Sequence, residues 1–102
     1  MKQKKRNEVK TMALKRNVEF THTVYEKGLA LAHIQHINEE TQTIKYEWAV
    51  VRNPILDPEH EYYKTWGYSL GYYNTYQDAK EKFVETVRKD RKARGEKGDF
   101  CL

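Results

Sequence analysis

Between Gln42 and Arg52 the chain alternates strictly. Ile44, Tyr46, Trp48 and Val50 share one parity, and Lys45, Glu47, Ala49 and Val51 share the other. A period of two predicts a β-strand, because successive side chains leave opposite faces of the pleat. Both parities turn apolar near its end, which predicts a central strand. Asn53-Pro54 then stops it, since proline has no N–H for a ladder and restricts the residue before it. A central strand needs neighbours on both edges, and the rest of the chain is constrained to supply them.

Candidates for those neighbours lie on either side. Val18, Phe20, His22 and Val24 alternate with Glu19, Thr21, Thr23 and Tyr25, predicting a strand with the first four on one face. Glu26-Lys27-Gly28 breaks it, and glycine accepts the positive φ of a tight hairpin. Leu29 to Ile37 is read as a second strand, and Asn38-Glu39-Glu40-Thr41 as the turn into the third. Residues 53–63 are a long acidic loop stiffened by Pro54 and Pro58, about twice the usual connection length. Lys64 to Tyr73 is a fourth strand with Trp66, Tyr68, Leu70 and Tyr72 on one parity. Gly67 and Gly71 leave room for a ring or another chain to approach closely.

One helix follows. Thr75 is a good N-cap with Asp78 three residues on, Ala79, Phe83 and Val87 form an i, i+4 apolar stripe, and Gly95 is a natural stop. Asp78–Lys82, Glu85–Lys89 and Asp90–Arg94 are acid-first i, i+4 pairs. The expected fold is α+β: an antiparallel four-stranded meander (β-β-β-β-α) with one C-terminal helix packed on one face and the other face open. Residues 1–15 are expected to be a basic flexible arm, 16–95 a single domain and 96–102 a short tail.

Charge is unevenly laid out along the 102 residues. Residues 1–16 carry seven bases against Glu8, net +6; residues 17–79 are net −5; residues 80–97 are net +4. Basic ends attract phosphate and release its counterions. Met12 followed by Ala-Leu-Lys reads as a second start, which would remove most of the arm. The longest apolar runs are four residues (Leu29–Ala32 and Trp48–Val51), far short of the roughly twenty a membrane-spanning helix needs. No apolar stretch follows the basic start as a secretory signal requires, and a lone cysteine, Cys101, fits a reducing compartment. A cytoplasmic location is therefore expected.

Two segments carry a family likeness. Ala49-Val50-Val51-Arg52-Asn53-Pro54 ends a strand, and Leu70-Gly71-Tyr72-Tyr73-Asn74-Thr75-Tyr76-Gln77-Asp78-Ala79 with Phe83 leads into the helix. Together, over about residues 42–90, they resemble the AP2-type DNA-binding domain and its relatives at the N-terminus of phage tyrosine integrases. The resemblance implies a sheet backed by a helix, with Leu70, Tyr73, Ala79 and Phe83 in the core. It also implies a sheet face that enters a DNA major groove, with Arg52 pointing outward to base or phosphate. It places Val51 inside and Val50 outside, whereas alternation places Ile44, Tyr46, Trp48 and Val50 inside.

Little in the chain points to catalysis. His33-x-x-His36 would pair on a helix as metal ligands do, but on a strand the two rings leave opposite faces. His22 has no partner motif. Cys101 has no nearby base, and His60 between Glu59 and Glu61 sits in a solvated acidic loop. Gly67-x-x-x-Gly71 lacks the lysine of a phosphate loop. No enzyme activity, cofactor or metal is expected. Tyr46, Trp48, Tyr68 and Tyr72 could stack bases on a sheet, but their parity is also that of a core. The leading expectation is a nucleic-acid-binding protein, its partner duplex DNA. Lys4, Lys5, Arg6, Lys15 and Arg16 would contact phosphate from the arm, Lys45, Arg52 and Lys64 from the sheet, and Arg88, Arg91, Lys92 and Arg94 from the helix end. The alternative is a protein-interaction module or inhibitor of the phage-accessory type. It would grip a partner protein through Asp57, Glu59, Glu61, Tyr62, Tyr63 and Trp66. A homodimer through the open sheet face is compatible with both.

Overall fold

The structure, a computed structural model, describes residues 14–25 and 28–102. Lys4, Lys5, Arg6, the alternative start at Met12 and the Glu26-Lys27 part of the first turn lie outside the described residues. The chain forms β1 (Leu14–Val24), β2 (Leu29–Asn38), β3 (Thr43–Arg52), β4 (Tyr68–Tyr73) and α1 (Tyr76–Ala93). The strands make one antiparallel sheet in the order β1-β2-β3-β4, the expected meander followed by one helix.

The helix is delimited as its sequence predicts. Thr75 Oγ1 accepts from the Asp78 N–H at 3.2 Å, and Glu85 and Lys89 pair at 2.9 Å. At the other end Gly95 takes φ +80°, its N–H donates to Lys92 O at 3.0 Å, and the Glu96 N–H donates to Arg91 O at 2.8 Å. These two bonds are a Schellman closure, which needs the left-handed residue that glycine supplies most cheaply. Ala79, Phe83 and Val87 are fully buried against Leu29, Leu31 and Val50. Val24, Tyr25, Trp48, Leu70, Tyr73 and Phe100 pack around them. Phe100 belongs to the last residues of the chain, so part of the expected tail is built into the domain.

Both sides of the sheet carry a core. On the far side Val18, Ala30, Ala32, Ile34, Ala49 and Val51 form a second buried cluster, with Phe20 and Trp66 packed against it. Trp66 comes from the 53–67 excursion, which folds back over the sheet, and its ring meets Phe20 of β1 edge-on at 6.3 Å. The three alanines leave the shallow floor on which a bulky ring can lie close to the sheet. This corrects the expected open face, because the long loop lies over the part of that face on which its tryptophan lands. It also corrects the reading of Trp66 as a partner-gripping surface residue and the fourth strand's start at Lys64. The excursion is itself ordered. Ile55 and Lys64–Thr65 exchange backbone bonds (2.9 and 3.0 Å), pinched by left-handed Asn53 (φ 55°) and Lys64 (φ 67°), and Pro54 is buried.

Parity is corrected in two more places, and the conformation of the first turn in a third. The β1–β2 register shifts between Phe20 and His22. This bulge turns Val18 and Phe20 to the far side while His22 and Val24 face the helix, so the four do not share a face. Val50 and Val51 are both fully buried, Val50 under the helix and Val51 on the far side, so neither is outside. Among the described residues of the first turn, Tyr25 is left-handed (φ 56°) and Gly28 is not. Its hydroxyl donates to Val87 O at 3.0 Å and the Arg94 guanidinium stacks on its ring at 4.2 Å. That tertiary anchoring offsets the cost of positive φ at a tyrosine.

Gly71 fits the expectation of a close ring. A Cβ there would come within 2.5–3.0 Å of the Tyr73 ring and hydroxyl. Burial, with Glu85 and Asp78 adding to it, pushes the Tyr73 hydroxyl above its ordinary pKa. Among the described residues no helix is long and apolar enough to cross a membrane.

Candidate nucleic-acid interface

The sheet is longer than what covers it. β4 pairs with β3 only from Trp48 to Arg52, so Thr43–Glu47 forms an open edge among the described residues. The three-stranded end of β1, β2 and β3 extends past both β4 and the helix. On it Ile44 and Tyr46 are half exposed (50% and 54%), and Tyr68 and Tyr72 elsewhere on the sheet are equally so (56% and 52%). These four were expected inside on alternation, and a core can hold them only where a second layer lies over them.

Strand register brings three basic side chains into one line on this ribbon. Arg16 of β1 lies opposite His36 of β2, and His36 lies opposite Lys45 of β3. All three are exposed and share the face that carries Trp66. The Arg16 guanidinium sits 5.3 Å from the Trp66 ring centre, a cation–π contact that holds one end of the row in place. His36 Nε2 lies 3.8 Å from Glu47 Oε1. The row borders a groove of about 410 Å³ that Asn38 and Thr43 also line. Like charges across a sheet repel. Here two permanent cations stand two strands apart, roughly 10 Å, a spacing at which an intervening anion would relieve the repulsion.

The helix-side face of the ribbon carries stacked rings. His33 lies 4.1 Å from Trp48 and 5.6 Å from Tyr46, nearly parallel to both. Tyr76 at the helix start meets Trp48 at 5.0 Å and His22 at 6.4 Å. Their stacking is a reason for His33 to lie on this face, while His36 leaves the other. Among the described residues no group of three or more His, Cys, Asp or Glu side chains could hold a metal ion.

The other expected contacts are dispersed. Lys15 pairs with Glu39 at 2.7 Å on the helix-side face, and Lys64 lies over the Tyr63 ring at 5.6 Å. Arg52 is corrected outright. Instead of pointing outward it reaches the helix, donating to both Asp90 carboxylate oxygens at 2.8 and 3.0 Å, with the pair about three-quarters buried. Hydrogen bonding to Asp90 raises the Arg52 pKa further, and Asp90 is thereby drawn from its expected pair with Arg94. Bidentate pairs of this kind are strong and directional. Arg52→Ala is expected to lower stability by about 2 kcal/mol, a melting-temperature drop of roughly 8–15 °C for a domain this size. A thermal melt unchanged by the substitution would show that the pair does not tie helix to sheet.

At the helix end Arg88 donates to Phe100 O (3.0 Å) and Arg91 to Asp99 O (2.8 Å). Arg94 binds Glu96 at 2.7 Å, and Lys92 lines a cleft of about 570 Å³ between helix and tail with Cys101 and Leu102. Arg94 stacks on Tyr25, just beyond β1, while Arg16 lies near the start of β1. At ~3.3 Å per residue that places the two basic clusters on the order of 25 Å apart. They form two patches and not one. The tip of the excursion presents Asp57, Glu59, Glu61, Tyr62 and Tyr63 to solvent. Hydrogen bonds from Glu59 N to Asp57 Oδ1 (2.9 Å), Tyr62 N to His60 Nδ1 (2.9 Å) and Thr65 Oγ1 to Tyr62 O (2.6 Å) order it.

Sequence reasoning missed His36 as a member of the basic row. The signal was available: a symmetric Asn38–Thr43 turn fixes His36 opposite Lys45 in any regular hairpin.

No protein-family model, curated protein or solved structure matches this chain.

Proposed function

We propose that the protein binds nucleic acid, with duplex DNA as its partner, through the far face of the β1–β2–β3 ribbon. The observation that carries this reading is the in-register row Arg16–His36–Lys45, whose three side chains are all exposed on one face of the sheet. β1 begins at this end of the sheet, and the sequence before it, residues 1–13, which lie outside the described residues, carries five bases against Glu8. Phosphate oxygens take charge-assisted bonds from Arg16 and Lys45, and the preceding bases extend the contact along the backbone. Affinity then comes from counterion release and carries little base specificity. The likeness of residues 42–90 to AP2-type domains supports the same class of partner, although Arg52 is tied to Asp90.

The test is fluorescence anisotropy with a labelled duplex over a salt series. The expected result is binding at low salt that weakens as salt rises. Arg16→Ala with Lys45→Ala should weaken it by about 10- to 100-fold and flatten the log–log salt slope by about two. Lys97→Ala, a charge change at the far end of the chain, should leave it unaltered. Absence of binding at low salt, or affinity indifferent to salt, would end the proposal.

A second reading draws on the ordered acidic tip, where Tyr62 is 56% exposed between carboxylates. There the chain acts as a protein-interaction module. Loss of biological activity in Glu59→Ala/Glu61→Ala/Tyr62→Ala with DNA binding intact would favour it.

A further inference from the structure

The outer edge of β1 carries a pattern complementary to itself. β1 pairs only with β2 among the described residues, so its other row of N–H and C=O groups is open. The regular part of the strand runs from Leu14 to Phe20, where the bulge interrupts it, and the midpoint of that stretch is Asn17. Laying the stretch antiparallel against a second copy about a two-fold axis at Asn17 uses its whole length. In that register Asn17 meets Asn17 of the second copy, Arg16 meets Val18, and Lys15 meets Glu19. The last pair is of opposite charge and occurs twice, as a two-fold interface requires.

Other registers lose this. Centring on Arg16 sets the two Arg16 side chains against each other. Centring on Val18 runs Lys15 into the bulge at Thr21 and separates it from Glu19. The opposite open edge, Thr43–Glu47, behaves differently: its midpoint is Lys45, which would face Lys45 of the second copy, the arrangement by which natural edges prevent pairing. One edge is thus guarded and the other matched.

We infer that the chain forms a symmetric dimer by antiparallel pairing of β1 with β1 of a second copy, joining two four-stranded sheets into one of eight strands. Lys15 and Glu19 are both exposed, and the bridge of Lys15 to Glu39 lies on the surface, so both can turn to the new partner. In the dimer the two Arg16–His36–Lys45 rows adjoin across the axis, offset by two residues or about 7 Å. The inference does not depend on the nucleic-acid reading, because its test reads mass alone.

The experiment is size-exclusion chromatography with light scattering on the full chain, from micromolar to submillimolar concentration. The wild type should show a concentration-dependent shift to twice the monomer mass. Lys15→Glu and Glu19→Lys each set like charges opposite twice and should weaken dimerisation by about tenfold or more. An equimolar mixture of the two variants restores opposite charge at every position and should recover the dimer mass. The double variant Lys15→Glu/Glu19→Lys should behave as wild type. Recovery in the mixture also shows that both variants fold. A wild type that stays monomeric, single variants that dimerise undiminished, or a mixture that stays monomeric would each overturn the inference.

Discussion

Phe83→Ala is expected to cost about 3–5 kcal/mol, the largest loss available from one side chain in this domain. Its ring is fully buried among Leu29, Leu31, Val50, Ala79 and Val87, with His22 and Phe100 flanking it at 6.2 and 6.3 Å. Three of those neighbours stand on the sheet, whose ladder keeps them from closing the cavity. A domain of this size has a stability of only about 5–15 kcal/mol, so the variant should melt more than about 12 °C lower or fail to fold. The measurement is urea unfolding followed by circular dichroism. A loss under about 1.5 kcal/mol would mean that the helix is not seated on this face.

Trp66→Ala is expected to cost about 2–4 kcal/mol, somewhat below a fully buried tryptophan because the ring is partly exposed. The effect is distinctive in kind. Trp66 is the excursion's bulky contact with the far-side cluster, and Ala30, Ala32 and Ala49 beneath have no side-chain length with which to fill the gap. The variant should therefore uncover that face, gaining dye binding to apolar surface and faster proteolysis within residues 56–63. Trp66→Phe should restore most of the loss. A variant with wild-type stability and protease resistance would show that the excursion does not depend on its tryptophan to stay on the sheet.

These two residues mark where the sequence was legible and where it was not. The helix was legible to its caps, because Thr75, Asp78 and Gly95 act on backbone groups within a few positions of themselves, and Phe83 falls on a stripe of period 3.6. The strand order was legible because short turns leave a meander little freedom. Trp66 was not, since Phe20 and Arg16, which its ring meets, lie on β1, far along the chain, and its parity with Tyr68 and Leu70 says nothing of a segment that leaves the sheet. Thr21 hides a bulge behind an unbroken alternation, which reverses His22 and Val24 relative to Val18 and Phe20. Ile44 and Tyr46 read as core because alternation reports that two faces differ, while only the lengths of β4 and the helix decide which part of a face is covered. Arg52 was misassigned because Asp90, its partner, already had a plausible neighbour at i+4 in Arg94. A largely buried bidentate pair is the stronger competitor.

The candidate site was legible as composition but not as geometry. The sequence supplied basic residues at both ends. The turn at Asn38–Thr43 sets His36 opposite Lys45, but nothing in the sequence added Arg16 to that row or placed the helix-end bases about 25 Å off. Much of the charge at the helix end serves architecture, since Arg88 and Arg91 hold the backbone of the last residues and Arg94 closes over Tyr25.

The most direct test of the ribbon as the contact surface is a ¹⁵N amide titration of the protein with a short DNA duplex at low salt. The expected result is shifts or broadening at Arg16, His36 and Lys45 and their immediate neighbours, reversed by added salt, with residues 57–63 and the outer side of the helix unmoved. Perturbation centred on Tyr62 or on Arg88–Arg94, or a spectrum that the duplex leaves unchanged, would contradict the account.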